Sequence, residues 1–163
     1  MRATTGFFAA AILGLSMGAN ASILPPNDLH LQDGFLEGGL SEEQFNSIIN
    51  TVSDLYRPIA KAKGGDLVVV RKWSDSTVNA YANRQGKTWN VTMFGGLARR
   101  PEVTEDGFAL VICHEIGHHL AGFPFVQEWA ADEGQSDYFA TQACARNLWK
   151  TDFKMNASFQ TSV

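Results

Sequence analysis

The chain has 163 residues, a length suited to one domain. Hydrophobic residues make up 45% and charged residues 18%, a globular balance that excludes a disordered or fibrous chain. The formal net charge is -4 and no basic run is present, so nucleic acid is excluded as an expected partner.

The N-terminus reads as a targeting signal. Arg2 gives a short positive start, and residues 7–15 form an apolar core too short to cross a bilayer as a mature helix. Ala19-Asn20-Ala21 fits the small-residue cleavage rule, which predicts a signal peptide over 1–21. The mature protein is expected to be exported, periplasmic or secreted, with no integral membrane segment. Residues 22–40, rich in Pro, Gly, Asn and Asp, read as an extended leader in which His30 is a surface residue. The domain is expected over 41–149, followed by a polar tail over 150–163.

The spacing predicts a first helix over 41–62. Ser41 and Gln44 form a capping box, and Phe45, Ile48, Ile49, Val52, Leu55, Tyr56 and Ile59 share one face. Pro58 is expected to kink or loosen its last turn, and Gly64-Gly65 to end it. Strands are expected over 66–73, 77–83 and 88–94. Residues 84–87 read as the turn of a hairpin joining the last two. Tyr81, Trp89 and Met93 are expected in the core, and an exposed strand edge could bind an extended peptide. Gly95-Gly96 breaks the third strand, and 97–103 reads as a connector.

Thr104 is an N-cap for the next helix, with Glu105 and Asp106 in its first turn. That helix contains His114-Glu115-Ile116-Gly117-His118. His114 and His118 lie one turn apart on one face, where two imidazoles can hold one zinc ion. Glu115 is then placed to act as general base on a water at the metal. His119, about 100° further round, reads as a helix-surface residue. Gly117 leaves room for close packing or for substrate. Gly122 and Pro124 stop the helix.

Zinc needs a third protein ligand. Residues 127–149 read as a helix carrying Glu128, Asp132, Glu133 and Asp137. Glu133 and Asp137 share a face with Ala130, Ala140, Cys144 and Leu148, and an acid on an apolar face must be paired or metal-bound. Glu128 and Asp132 fall on a polar, solvated face. Glu133 is therefore the candidate third ligand, although Glu128-Trp129-Ala130-Ala131-Asp132 repeats the same E-x-x-x-D spacing. A short connection through Phe123-Pro124-Phe125 would set the two helices antiparallel. Asp137 would then fall beside His114, where it could accept the ring N–H and fix the tautomer. Cys113 and Cys144 are either a disulfide, which export permits, or two buried thiols. The fold expected is α+β, with a small sheet packed on a metal-binding helix hairpin and an additional N-terminal helix.

Three stretches resemble the gluzincin metallopeptidases, and within them the M48-like group. Val78-Asn79-Ala80-Tyr81-Ala82 with 89–95 is similar to the strand pair beside their active site. Cys113-His114-Glu115-Ile116-Gly117-His118-His119 is similar to their metal helix, and Glu133-Gly134-Gln135-Ser136-Asp137 to their E-x-x-x-D helix. The gap between His118 and Glu133 is shorter than is usual in the group. The resemblance implies a zincin-like fold, one zinc bound by His114, His118 and Glu133, Glu115 as base, Asp137 behind His114, and hydrolysis of peptide bonds in a peptide or unfolded protein. His119, Tyr138 and Arg146 are candidate donors to the oxyanion. The alternative is a zinc-containing, non-catalytic module that holds envelope proteins. An intact Glu115 argues against it, because a structural zinc needs no base.

Overall fold

The computed structural model describes residues 39–150. The expected signal peptide with its cleavage at Ala21, most of the expected leader with His30, and the expected tail beyond Lys150 lie outside the described residues. The described part is α+β.

Helix α1 (Glu42–Ala62) starts where its cap dictates. Ser41 Oγ accepts from Gln44 N at 3.2 Å, and Gln44 Oε1 accepts from Ser41 N at 2.9 Å. Phe45, Ile49, Val52, Tyr56 and Ala60 recur at helical spacing and form its buried face. Pro58 lies within the helix, which continues to Ala62. Pro58 and Asp54, whose carbonyl loses its partner, are both exposed, so water can satisfy that oxygen.

The sheet contains β1 (Asp66–Lys72), β2 (Ala80–Gln85) and β3 (Thr88–Phe94) in the order β1-β3-β2. β3 runs parallel to β1 and antiparallel to β2. The expected second strand is shifted by the hairpin register. Gln85 pairs with Thr88, which reduces the turn to Gly86-Lys87 and puts Arg84 inside β2. Gly86 adopts φ 60°, the left-handed conformation such a two-residue turn requires. Val91 and Met93 are fully buried on the central strand, and Trp89 is buried with them. Tyr81 departs from expectation. On the edge strand it is 40% exposed, with its ring 5.8 Å from that of Phe94.

Gly95–Ala98 forms a single helical turn, α2, rather than part of a simple connector. Helix α3 (Glu105–Leu120) is capped by Thr104, whose Oγ1 accepts from Gly107 N at 3.1 Å. It packs against α1, the sheet and the following helix, so it is buried on more than one face. The Phe108 ring meets the Phe45 ring at 5.2 Å, and Phe45 meets Trp73 at 5.3 Å.

The connection after α3 differs most from expectation. The next helix, α4 (Glu133–Phe139), begins at Glu133, not near Gln127. Asp132 is its N-cap, and Asp132 Oδ1 accepts from Gln135 N at 2.7 Å. Residues 121–132 are therefore a connector folded back on itself. Val126 N donates to Ala130 O, and Asp132 N to Pro124 O, both at 2.9 Å. Beyond α4 the backbone continues as a π-helical stretch (Ala140–Ala145) and a last short turn, α5 (Arg146–Leu148). This arm runs antiparallel to α3, since Cys113 meets Cys144, His114 meets Asp137 and Gly117 meets Ser136.

Candidate metal centre

The last two turns of α3 and the first turn of α4 bring three ligand atoms together. His114, His118 and Glu133 each offer one, all within 4.8 Å of one another. His114 Nε2 lies 3.0 Å from Glu133 Oε2, and His118 Nε2 lies 3.8 Å from the same oxygen. The imidazoles meet edge to face with centroids 4.8 Å apart. Glu128 is exposed in the connector and is not part of this cluster.

The far side of each imidazole is occupied. Asp137 Oδ1 lies 2.8 Å from His114 Nδ1. His118 Nδ1 lies 2.8 Å from Ala131 O and 3.0 Å from Ser136 Oγ. A carboxylate and a carbonyl can only accept, so Nδ1 of each ring carries the proton and donates it. With the rings neutral, each Nε2 points a lone pair at the Glu133 carboxylate, an arrangement that a cation between them would satisfy. Ligand atoms around a tetrahedral zinc sit about 3.4 Å apart, given metal–ligand lengths of about 2.1 Å. The residues present fit zinc in donor type, tautomer and spacing.

The route from sequence to Glu133 needs correction. The side chains of Glu133 and Asp137 are 61% and 73% exposed, so they do not lie on a buried apolar face. Burial on this arm begins at Ser136 and continues through Ala140 and Cys144. Helical spacing and the Asp132 cap, not desolvation, put the two acids beside the histidines.

Glu115 is different: it is buried, 7% exposed. Burial pushes its carboxyl up to about 7; the neighbouring His114 opposes this and Glu133 adds to it. A bound cation would draw it back toward the ionised form that a base requires.

Gly117 belongs to the packing. A Cβ there would lie 3.0 Å from both Cα and O of Ser136, so only glycine lets α4 approach this closely. That approach carries Ser136, fully buried, to His118. Cys113 and Cys144 form a disulfide with Cα atoms 5.8 Å apart, joining α3 to the arm that carries Glu133.

His119 is buried, not a helix-surface residue. Its ring stacks between Trp89 and Trp129, at 5.6 Å and 5.0 Å between centroids. Nε2 donates to Asn90 O at 3.0 Å, and Nδ1 accepts from Arg84 Nε at 3.2 Å. Burial, with lesser contributions from Arg84 and His118, lowers its pKa to about 4, although the Asn90 hydrogen bond opposes this, so the ring is neutral. The sequence reading overlooked Ser136, the Ala131 carbonyl and the Arg84–Trp129 contact. Two signals were available: Asp132-x-x-Gln135 repeats the Ser41-x-x-Gln44 capping pattern, and Arg84 continues the alternation of Ala80 and Ala82.

Comparison with curated proteins finds no match, and neither does comparison with solved structures. The family model of Peptidase family M48 matches residues 42–132, over half of the chain. The match spans His114, Glu115 and His118 and stops one residue before Glu133. With the two histidines on α3 inside the matched region, the chain belongs to Peptidase family M48, and is an M48-like zinc metallopeptidase.

Proposed function

We propose that this protein is an exported zinc endopeptidase with a zincin-like site, in which His114, His118 and Glu133 hold one zinc and Glu115 is the general base. The observation that carries the reading is the convergence of the two Nε2 atoms on Glu133 Oε2, with both Nδ1 protons already committed elsewhere. When bound, zinc supplies a Lewis acid that polarises a carbonyl and acidifies water. Glu115 takes the proton of the attacking water and returns it to the leaving amine nitrogen. Its burial keeps bulk water away from that transfer. Asp137 and Ala131 O hold the imidazoles in the tautomer that leaves Nε2 unprotonated.

Among the three candidate oxyanion donors, both ring nitrogens of His119 are engaged. Arg146 lies 13 residues beyond Glu133, about 20 Å along a helix axis. Tyr138, on α4 and 62% exposed, is the candidate that this elimination leaves. Tyr138→Phe should lower kcat with KM retained, and an unchanged kcat would remove it. The disulfide supports export to an oxidising compartment. No described helix is long and apolar enough to cross a membrane.

The test is cleavage of an unfolded protein by zinc-loaded mature protein beside Glu115→Gln, with bound zinc quantified in both. Cleavage by the first alone, at equal zinc, supports the reading. Cleavage by both would reject Glu115 as base, and cleavage by neither would favour a module that holds proteins without cutting them. In the same series Glu133→Gln should lose zinc and Glu128→Gln should keep it.

A further inference from the structure

Buried His119 and its half-buried partner Arg84 take no part in the proposed chemistry, yet His119 lies one residue along α3 from a proposed ligand. Arg84 stands opposite Trp89 in the β2–β3 ladder, with Cζ 3.9 Å from the Trp89 ring centroid and 5.2 Å from that of Trp129. It also donates to His119 O at 2.9 Å, near the C-terminal end of α3 where carbonyls lack helical partners. Trp129 comes from the connector and completes the stack on His119. Two residues later the connector reaches His118 twice. Ala131 N donates to His118 O at 3.0 Å, and Ala131 O accepts from His118 Nδ1 at 2.8 Å.

We infer that Trp129 and Arg84 are positioning residues: Trp129 stacked on His119, and Arg84 bonded to His119 and lying over both tryptophan rings, fasten the connector to the sheet and so hold the Ala131 carbonyl against His118. The argument is geometric. The connector has no regular helix or strand, and Phe123, Phe125 and Val126 at its far end are 50–80% exposed. Its apolar attachment is therefore at the Trp129–Ala131 end. Trp129 slots against a planar stack that extends to Trp89 on the central strand, so the position of Ala131 is referred to the sheet as well as to α3. Release of Trp129 would free the carbonyl that fixes the His118 tautomer and ring orientation, and loss of such an outer partner typically weakens metal binding about 10- to 100-fold.

The inference rests on His118 being a zinc ligand, and the experiment separates the two. Zinc affinity is measured by chelator competition on the mature, disulfide-bonded protein, with far-UV circular dichroism of each zinc-free variant. Trp129→Ala should bind zinc about tenfold more weakly or worse, with its spectrum unchanged. Trp129→Phe, which keeps an aromatic stack, should recover most of that loss. Phe123→Ala, in the same connector, should match the wild type. Wild-type affinity in Trp129→Ala, failure of the Phe variant to recover any of the loss, or an equal loss in Phe123→Ala would each overturn the inference. Should Trp129→Ala not fold, Arg84→Lys carries the test: it keeps the charge but not the paired bonds to His119. Severalfold weaker zinc there supports the inference, and unchanged affinity overturns it. Wild-type protein that binds no zinc would instead reject the metal centre itself, and the inference with it.

Discussion

Removal of Asp137 tests the metal centre most directly, because this residue touches His114 and not the metal position. Its carboxylate accepts from His114 Nδ1 at 2.8 Å. A hydrogen bond to a charged group contributes about 1.5–3 kcal/mol. The Asp137 side chain is 73% exposed, so solvent screening places it at or below the bottom of that range. A loss of about 1.4 kcal/mol corresponds to about tenfold in zinc affinity. Asp137→Ala should therefore bind zinc about tenfold more weakly, the lower end of the outer-partner range. Asp137→Asn keeps an acceptor oxygen and should lose less. The assay is competition with a chromogenic chelator at fixed pH. Wild-type affinity in Asp137→Ala would refute the argument that this contact prepares the His114 lone pair, and equal losses in the two variants would refute the role of the acceptor oxygen.

Three further outcomes follow from the packing. Replacing Cys113 and Cys144 together by alanine reopens a 31-residue separation, and loop-closure entropy sets the stability loss at about 3.7 kcal/mol, readable by urea denaturation of the zinc-free protein. Gly117→Ala puts a methyl group 3.0 Å from the Ser136 backbone; overpacking of about 1–3 kcal/mol, offset by the roughly 1 kcal/mol that alanine gains over glycine inside a helix, leaves a net cost of about 0–2 kcal/mol with weaker zinc binding as α4 is displaced, and unchanged zinc affinity would contradict the close approach. The pH dependence of the zinc-free protein should report Glu115. Its carboxyl is raised to about 7 in the fold, so the neutral form is favoured there and the unfolded chain ionises first. Stability is complete below about pH 4.5 and falls as pH rises toward 7, by at most about 3 kcal/mol. Glu115→Gln should remove that slope, as seen by comparing denaturation at pH 5 and pH 8.

What the sequence determines by itself is local. The four-residue interval from His114 to His118 places two side chains on one face of any helix, because a helix repeats every 3.6 residues. Ser41 with Gln44 and Thr104 with Glu105 and Asp106 mark helix starts through the unsatisfied N–H groups that they cap or face. Alternating Trp89, Val91 and Met93 mark one face of a strand. Each of these signals spans only a few residues.

Tertiary structure decides the rest, because the deciding partners are distant in the chain. The Asp132 cap begins α4 later than helical periodicity suggests, although Gln127, Glu128, Ala130 and Ala131 are good helix formers: the cap and the backbone bonds of the connector to itself and to His118 override that local preference. That start puts Glu133 and Asp137 at an exposed rim beside His114, where sequence reading puts them on a buried face. His119 falls on a face that looks outward from the heptapeptide alone. Two tryptophans and an arginine, from β3, the connector and β2, enclose it. The disulfide, open in the sequence between bonded and free thiols, depends on α3 and the π-helical stretch lying antiparallel, a relation between two elements that neither one encodes.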